Sequence, residues 1–262
     1  MFRNLLVLVL SLSFSPISSA APKAKKVLII VSGASQLSLK NGEKYQTGYW
    51  LEEFSTPYQI FEGKRLRMTI ATPEGNRPSV DNSSIAVGED GKPLYWPSMA
   101  ELNEALAVKK RVLDNGQVLS LAKLSDQEIA QFDAVFFPGG HGPMEDLINN
   151  REVARVLQHF HKHGKPTSLV CHAPIALIST ETTKFLYKGY KVTAFSDAEE
   201  SQTPIGPKMK TTPQKELERA GAIFVKGADW QPYVVEDREL ITGQNPASSK
   251  EVAVALMKRM GL

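Results

Sequence analysis

The feature that most limits how this chain can fold is a set of short, unbroken apolar runs separated by helical stretches. Residues 27–31 (Val-Leu-Ile-Ile-Val) and 134–137 (Ala-Val-Phe-Phe) have no polar residue in them, the pattern of strands buried on both faces. Further strands are predicted at 67–72, 167–170, 191–194, 222–225 and 239–243, with helices at 99–114, 151–163, from Cys171 through about 179, and 248–260. Strands that alternate with helices imply a parallel sheet covered on both faces, hence an α/β fold. Residues 33–42 read as a loop, 49–61 as a short helix that Pro57 bends or breaks, and 124–128 as a capped entry into a short helix. Residues 76–100, rich in Pro, Gly, Asn and Ser, read as a surface excursion placed to form a lid.

The first 20 residues stand apart from this pattern. Arg3 gives a positive start, residues 5–14 form an apolar run too short to span a bilayer comfortably, and Ser18-Ser19-Ala20 offers a small-residue cleavage site. The segment reads as a secretory signal peptide cut after Ala20. Residues 21–262 are then a single exported domain, secreted or periplasmic, with no stable membrane association once the leader is gone. The net charge of +3 is small and its charges are dispersed, which argues against a nucleic-acid partner. The chain has a single cysteine, Cys171, so no intramolecular disulfide can form.

The local sequence around that cysteine carries chemistry. Ser168-Leu169-Val170-Cys171-His172-Ala173-Pro174 is a buried strand ending on a nucleophile at a tight turn into a helix, a nucleophile elbow with a thiol in place of a hydroxyl. The helix N-terminus there favours thiolate over thiol, so a sulfur deprotonated near neutrality is expected. The N–H of His172 is placed to donate to a developing oxyanion. Gly139-Gly140, after the preceding strand, lets the backbone approach a ligand and supply a second N–H. His141, next in line, either lines the pocket or satisfies loop carbonyls.

These motifs, with Thr47-Gly48-Tyr49-Trp50-Leu51-Glu52-Glu53, Phe137-Pro138-Gly139-Gly140-His141-Gly142, Thr193 through Glu200 and Ile241 through Ser248, resemble the DJ-1/PfpI superfamily. Its fold is that of class I glutamine amidotransferases, and the closer likeness is to its heat-shock chaperone branch of glutathione-independent glyoxalases (glyoxalase III). The resemblance implies a flavodoxin-like three-layer sandwich, a mostly parallel central sheet with helices on both faces. It implies Cys171 as nucleophile, His172 as adjacent general base, Glu200 as the acid that orients it with Glu199 a near alternative, and Glu53 as a protonated carboxyl against the sulfur. Gly140 and His172 would give the oxyanion N–H groups. The implied activity is a lyase that converts methylglyoxal or glyoxal to lactate or glycolate through a cysteine hemithioacetal, without a cofactor, in a homodimer. Two alternatives share the site: a cysteine peptidase or amidase of PfpI type, and a holdase chaperone or redox-stress protein with a sensor cysteine. A glutaminase triad needs a histidine far downstream, and His172 is the last one in the chain.

Rival signals read more plainly. His159, His161 and His163 fit solvated residues at a helix C-terminus better than a metal site. Trp50, Trp96 and Trp230 read as core or pocket wall, and Glu52 as half of a solvated pair. No metal is expected.

Overall fold

The computed structural model describes residues 24–182 and 184–262; the leader read at residues 1–20 lies outside them. In chain order the strands are β1 (Lys26–Ile30), β2 (Gln36–Ser38), β3 (Lys44–Gln46), β4 (Arg67–Thr72), β5 (Val118–Ser120), β6 (Ala134–Phe137), β7 (Thr167–Val170), β8 (Lys191–Val192), β9 (Ile223–Phe224), β10 (Val234–Asp237) and β11 (Leu240–Gly243). The helices are α1 (Leu51–Gly63), α2 (Met99–Lys109), α3 (Asp126–Ile129), α4 (Pro143–Asp146), α5 (Arg151–Lys162), α6 (Asp197–Glu200), α7 (Pro213–Ala220) and α8 (Ser249–Arg259).

Seven strands form the central sheet in the order β10-β11-β7-β6-β1-β4-β5. Every pairing is parallel except β10 with β11. Without the edge strands β5 and β10, the order β4-β1-β6-β7-β11 is the flavodoxin order 2-1-3-4-5. The unbroken apolar runs are explained residue by residue. Val27, Ile29 and Phe136 face a cluster with Phe54, Leu102 and Leu256, whereas Leu28, Ile30, Val135 and Phe137 face Val153, Leu157 and Phe160. Helices α1, α2 and α8 cover the first face; α5, α7 and a 3-10 helix over Ala173–Thr182 cover the second. Among the described residues no helix is long and apolar enough to cross a membrane.

Several elements differ from the sequence reading, each for a local reason. Pro57 does not break α1, which runs on to Gly63. The proline forfeits one backbone hydrogen bond, but Phe54, Tyr58 and Phe61 on the same helix are buried, and that packing outweighs the loss. The predicted loop at 33–42 contains β2, paired antiparallel with β3. The expected strands at 191–194 and 222–225 are shorter, and they pair with each other in a separate two-stranded sheet rather than in the central one.

The 76–100 excursion is anchored at its root. Tyr49 N–H donates to the Ser79 carbonyl at 2.9 Å and Asp81 N–H to the Tyr49 carbonyl at 2.8 Å. A Cβ on Gly48 would collide with the Ser79 carbonyl, so the two backbones meet only because residue 48 is glycine. Farther out, Val87 bridges Pro93, and the Trp96 indole N–H donates to the Ser84 carbonyl at 2.7 Å.

Candidate active site

β6 and β7 deliver their loops side by side at the carboxyl edge of the sheet, where open α/β folds bind ligands. Cys171 follows β7 directly with φ +62, a left-handed conformation rare for a side chain that carries a Cβ. Hydrogen bonds hold it there: its N–H donates to the Gly243 carbonyl at 2.9 Å and its carbonyl accepts from Phe195 N–H at 2.8 Å. The sulfur side chain is thereby turned out of the strand and into a cleft, although the residue is only 3% exposed.

The groups around it form a chain. Cys171 Sγ lies 3.1 Å from His172 Nδ1, and His172 Nε2 lies 2.7 Å from Glu200 Oε2. The other Glu200 oxygen faces His141 Nε2 at 3.2 Å and accepts from the Thr203 hydroxyl at 3.1 Å. The neutral His172 tautomer that satisfies both neighbours donates Nε2–H to Glu200 and presents Nδ1 as acceptor to the thiol. Burial alone would raise the Glu200 carboxyl. The charges and hydrogen bonds of His172 and His141 outweigh it and hold the group well below the usual carboxylate range. Burial first, and then the neighbouring His141, keep His172 below its ordinary value against the pull of Glu200. At neutral pH the pair is therefore a carboxylate and an uncharged base.

Glu53 arrives from the first turn of α1. Its Oε2 accepts the Gly139 N–H at 2.7 Å, no nitrogen or oxygen donor among the described residues reaches Oε1, and the carboxyl meets the Cys171 sulfur. Burial raises its pKa well above the usual range, so it is a neutral acid. Gly139 must be glycine here, because a Cβ would sit 2.7 Å from Glu53 Oε2 and 2.9 Å from Cys171 Cβ. Gly140 has φ +86, and a Cβ on it would lie 2.5 Å from Trp50 N. Its N–H reaches the sulfur.

The resting thiolate expected from the helix terminus is not what these surroundings favour. Burial pushes the Cys171 thiol well up, repulsion from Glu53 adds to this whenever that carboxyl is ionised, and the Gly140 N–H is the opposing pull. The helix beyond the turn is 3-10 rather than α. These surroundings favour the thiol, with His172 Nδ1 3.1 Å away in position to take its proton.

The structure separates the neighbouring glutamates that the sequence left open. Ser196 caps α6 in a reciprocal capping box with Glu199. Glu199 Oε2 accepts from the Ser196 N–H at 3.0 Å and hydroxyl at 2.8 Å; Oε1 accepts from Trp230 N–H and Asn245 Nδ2, each at 2.8 Å. Neither the triad nor the pocket includes it, so Glu199 is a brace for the loop at Trp230. His141 does line the cleft, with its ring 4.1 Å from that of His172. Sequence reasoning missed Thr203, Tyr95 and Phe195, on which the His172 ring stacks at 4.5 Å. It also misread Glu52, which is not a solvated partner of Glu53 but lines the cleft, its pKa pushed up to about 7 by burial and then by Glu101 and Glu251. Aromatic residues inside an otherwise polar excursion were the available signal for Tyr95.

His141, His172 and Glu200 also place three potential ligand atoms within 4.8 Å of one another. Each imidazole lies within hydrogen-bond distance of the Glu200 carboxylate, so the three side chains form one hydrogen-bonded network.

The model of the DJ-1/PfpI family matches residues 46–259. The chain belongs to the DJ-1/PfpI family. Glyoxalase 3 of Candida albicans is 27% identical over 239 residues, covering 87% of this chain and 95% of that one. The protein/nucleic acid deglycase HchA of Pseudomonas aeruginosa is 28% identical over 252 residues, covering 90% and 81%. Among solved structures, the Rapid Encystment Protein of Francisella tularensis superposes with a TM-score of 0.75 at 27% identity, covering 90% of this chain and 99% of that one. Relatives of this DJ-1/PfpI chain thus include proteins named for glyoxalase and for deglycase activity, and its sheet is the flavodoxin-like sheet of the family.

Proposed function

We propose that this protein is a glutathione-independent glyoxalase that isomerises and hydrates 2-oxoaldehydes to 2-hydroxy acids. The observation that carries the reading is the continuous path from Cys171 Sγ to His172 Nδ1 and from His172 Nε2 to Glu200, with two further proton-bearing groups, Glu53 and His141, against it. The thiol gives its proton to His172 as sulfur adds to the aldehyde carbon. The resulting oxyanion is met by the Gly140 N–H and takes a proton to give the hemithioacetal. His172 then removes the proton from that carbon, and an enediol forms. Reprotonation at the adjacent carbon leaves a thioester, which water hydrolyses to the hydroxy acid and free thiol. Carbon one is oxidised as carbon two is reduced, so no external redox partner is needed. An imidazole kept uncharged by burial is suited to the two proton transfers from sulfur and carbon.

Two features support a small carbonyl substrate over a polypeptide. Cys171 lies deep, and the cleft is walled by the excursion through Asp81, Tyr95 and Trp96. The leader-like first 20 residues put the activity in an exported compartment. The test is methylglyoxal consumption without glutathione, run in deuterated water and followed by NMR. Lactate carrying deuterium at carbon two is expected from wild type, with loss of at least about a thousandfold in Cys171→Ala. Equal consumption by wild type and variant would end the proposal.

A further inference from the structure

The cleft beside Cys171 has a volume of about 650 Å³, within the range that encloses drug-sized ligands, whereas methylglyoxal has only three carbons. Two pairs of rings stand among its lining residues. Trp50 and Tyr95 meet edge to face at 5.0 Å on one side; Phe195 and Trp230 meet edge to face at 5.4 Å beside His172. These rings are fastened in place. Trp230 sits in the left-handed region at φ +61, which a bulky residue adopts only where its surroundings hold it. The holding groups are Glu199, which accepts its backbone N–H at 2.8 Å, and Gln202, whose Oε1 accepts its indole N–H at 2.7 Å. The glutamate that does not join the triad thus serves to present an indole to the cleft, and Trp230 is left 42% exposed. Charge sorts ligands as well. Among the described residues the lining includes Glu52 and Asp81 but no lysine or arginine, so an anionic tail would meet no lysine or arginine counter-charge from them.

We propose that the site selects uncharged 2-oxoaldehydes that carry a bulky apolar or aromatic substituent over methylglyoxal, and rejects those that carry a carboxylate or phosphate. This rests on the glyoxalase reading above and leaves its bond changes as they are: the aldehyde carbon meets Cys171 while the substituent lies between the ring pairs. Trp230 and Tyr95 are then specificity-determining residues.

The experiment compares kcat/KM for phenylglyoxal and methylglyoxal in wild type, Trp230→Ala, Trp230→Phe and Tyr95→Ala. It adds a readout that needs no turnover: protection of Cys171 from iodoacetamide at pH 9 by acetophenone, acetone or benzoylformate. Wild type is expected to favour phenylglyoxal by about tenfold or more. Trp230→Ala and Tyr95→Ala should each cut that ratio severalfold through KM, with Trp230→Phe keeping most of it. Acetophenone should protect at concentrations where acetone and benzoylformate do not. A wild-type ratio at or below one, or protection by benzoylformate equal to that by acetophenone, overturns the selection. Absence of turnover with both dicarbonyls, with acetophenone still protecting, overturns the glyoxalase reading and leaves the aromatic site standing.

Discussion

Two histidine–glutamate pairs occupy opposite ends of the same strands. At the carboxyl end His172 Nε2 lies 2.7 Å from Glu200; at the amino end His161 Nδ1 lies 2.7 Å from Glu239. Glu239 immediately precedes β11, whose last carbonyl accepts the Cys171 N–H, so the strand itself, roughly 13 Å long, separates them. The hydrogen bonds are alike and the company is not. Glu239 also accepts from the Tyr190 hydroxyl, at 3.2 Å on each oxygen, and the Arg238 guanidinium lies over the Tyr190 ring. Burial, then the charge of Glu239, push that phenol up to about 12, so it remains a donor. The pair faces no thiol and does not line the cleft. A histidine–carboxylate contact therefore becomes chemistry only where a nucleophile and room for a substrate meet it.

Matched substitutions give the sharpest contrast. Glu200→Gln is expected to lower kcat on methylglyoxal by about a hundredfold, since the imidazolium formed during attack loses its counter-charge. Glu239→Gln should leave the rate where it is and reduce unfolding free energy by about 1–2 kcal/mol in urea titration. Similar rate losses in both would erase the distinction. The pH profile separates the groups next to His172. Uncharged His172 is the working form, so activity is lost as pH falls through its pKa, and that acid limb should lie below the ordinary value of 6.5. Glu200 pulls this pKa up, and Glu200→Gln should move the limb to lower pH. His141 pushes it down, and His141→Gln should move the limb to higher pH. Shifts in the same direction would show that the two groups do not act on His172 as described. The smallest effect is at the other pair: Arg238→Ala, removing an exposed guanidinium from the Tyr190 face, should cost less than about 1 kcal/mol in the same titration.

Among the strands, the most legible in the sequence were those buried on both faces. β6, and β1 after Lys26, are apolar because both faces are covered; β7, Thr-Ser-Leu-Val, is buried throughout but half polar, and the motif after it marked the turn at Cys171. β5 and β10 escaped notice as sheet edges, the latter carrying Glu236 and Asp237, and β2 and β3 are three residues each and half exposed. α7 did carry signals that went unused: Thr212 as cap, Pro213 at its first position and Gly221 in the left-handed conformation after it. Proximity of Cys171 to His172 and of Glu53 to the sulfur's loop agreed with expectation, because those positions follow from motif and strand order. The proton balance did not, since a turn seen in sequence shows a helix dipole but not the burial that opposes it. Nor can sequence say which of Glu199 and Glu200 points where. Neighbouring residues on one helical turn project about 100° apart, and only the packing of Trp230 and His172 decides which is which.

The stitching of the excursion at Tyr49 and Ser79 has a consequence for access. A flap hinged at its base would carry Trp50 and the Gly139-Gly140 turn with it, since Trp50 N–H donates to the Gly139 carbonyl at 3.1 Å. Because that base is fused to the sheet's loops, the root of the excursion and the turn beside Cys171 hold one another in place. Residues 94–97, the outer part of the excursion that lines the cleft, can change character and so alter what fits, while the fixed root leaves the turn at Cys171 in place.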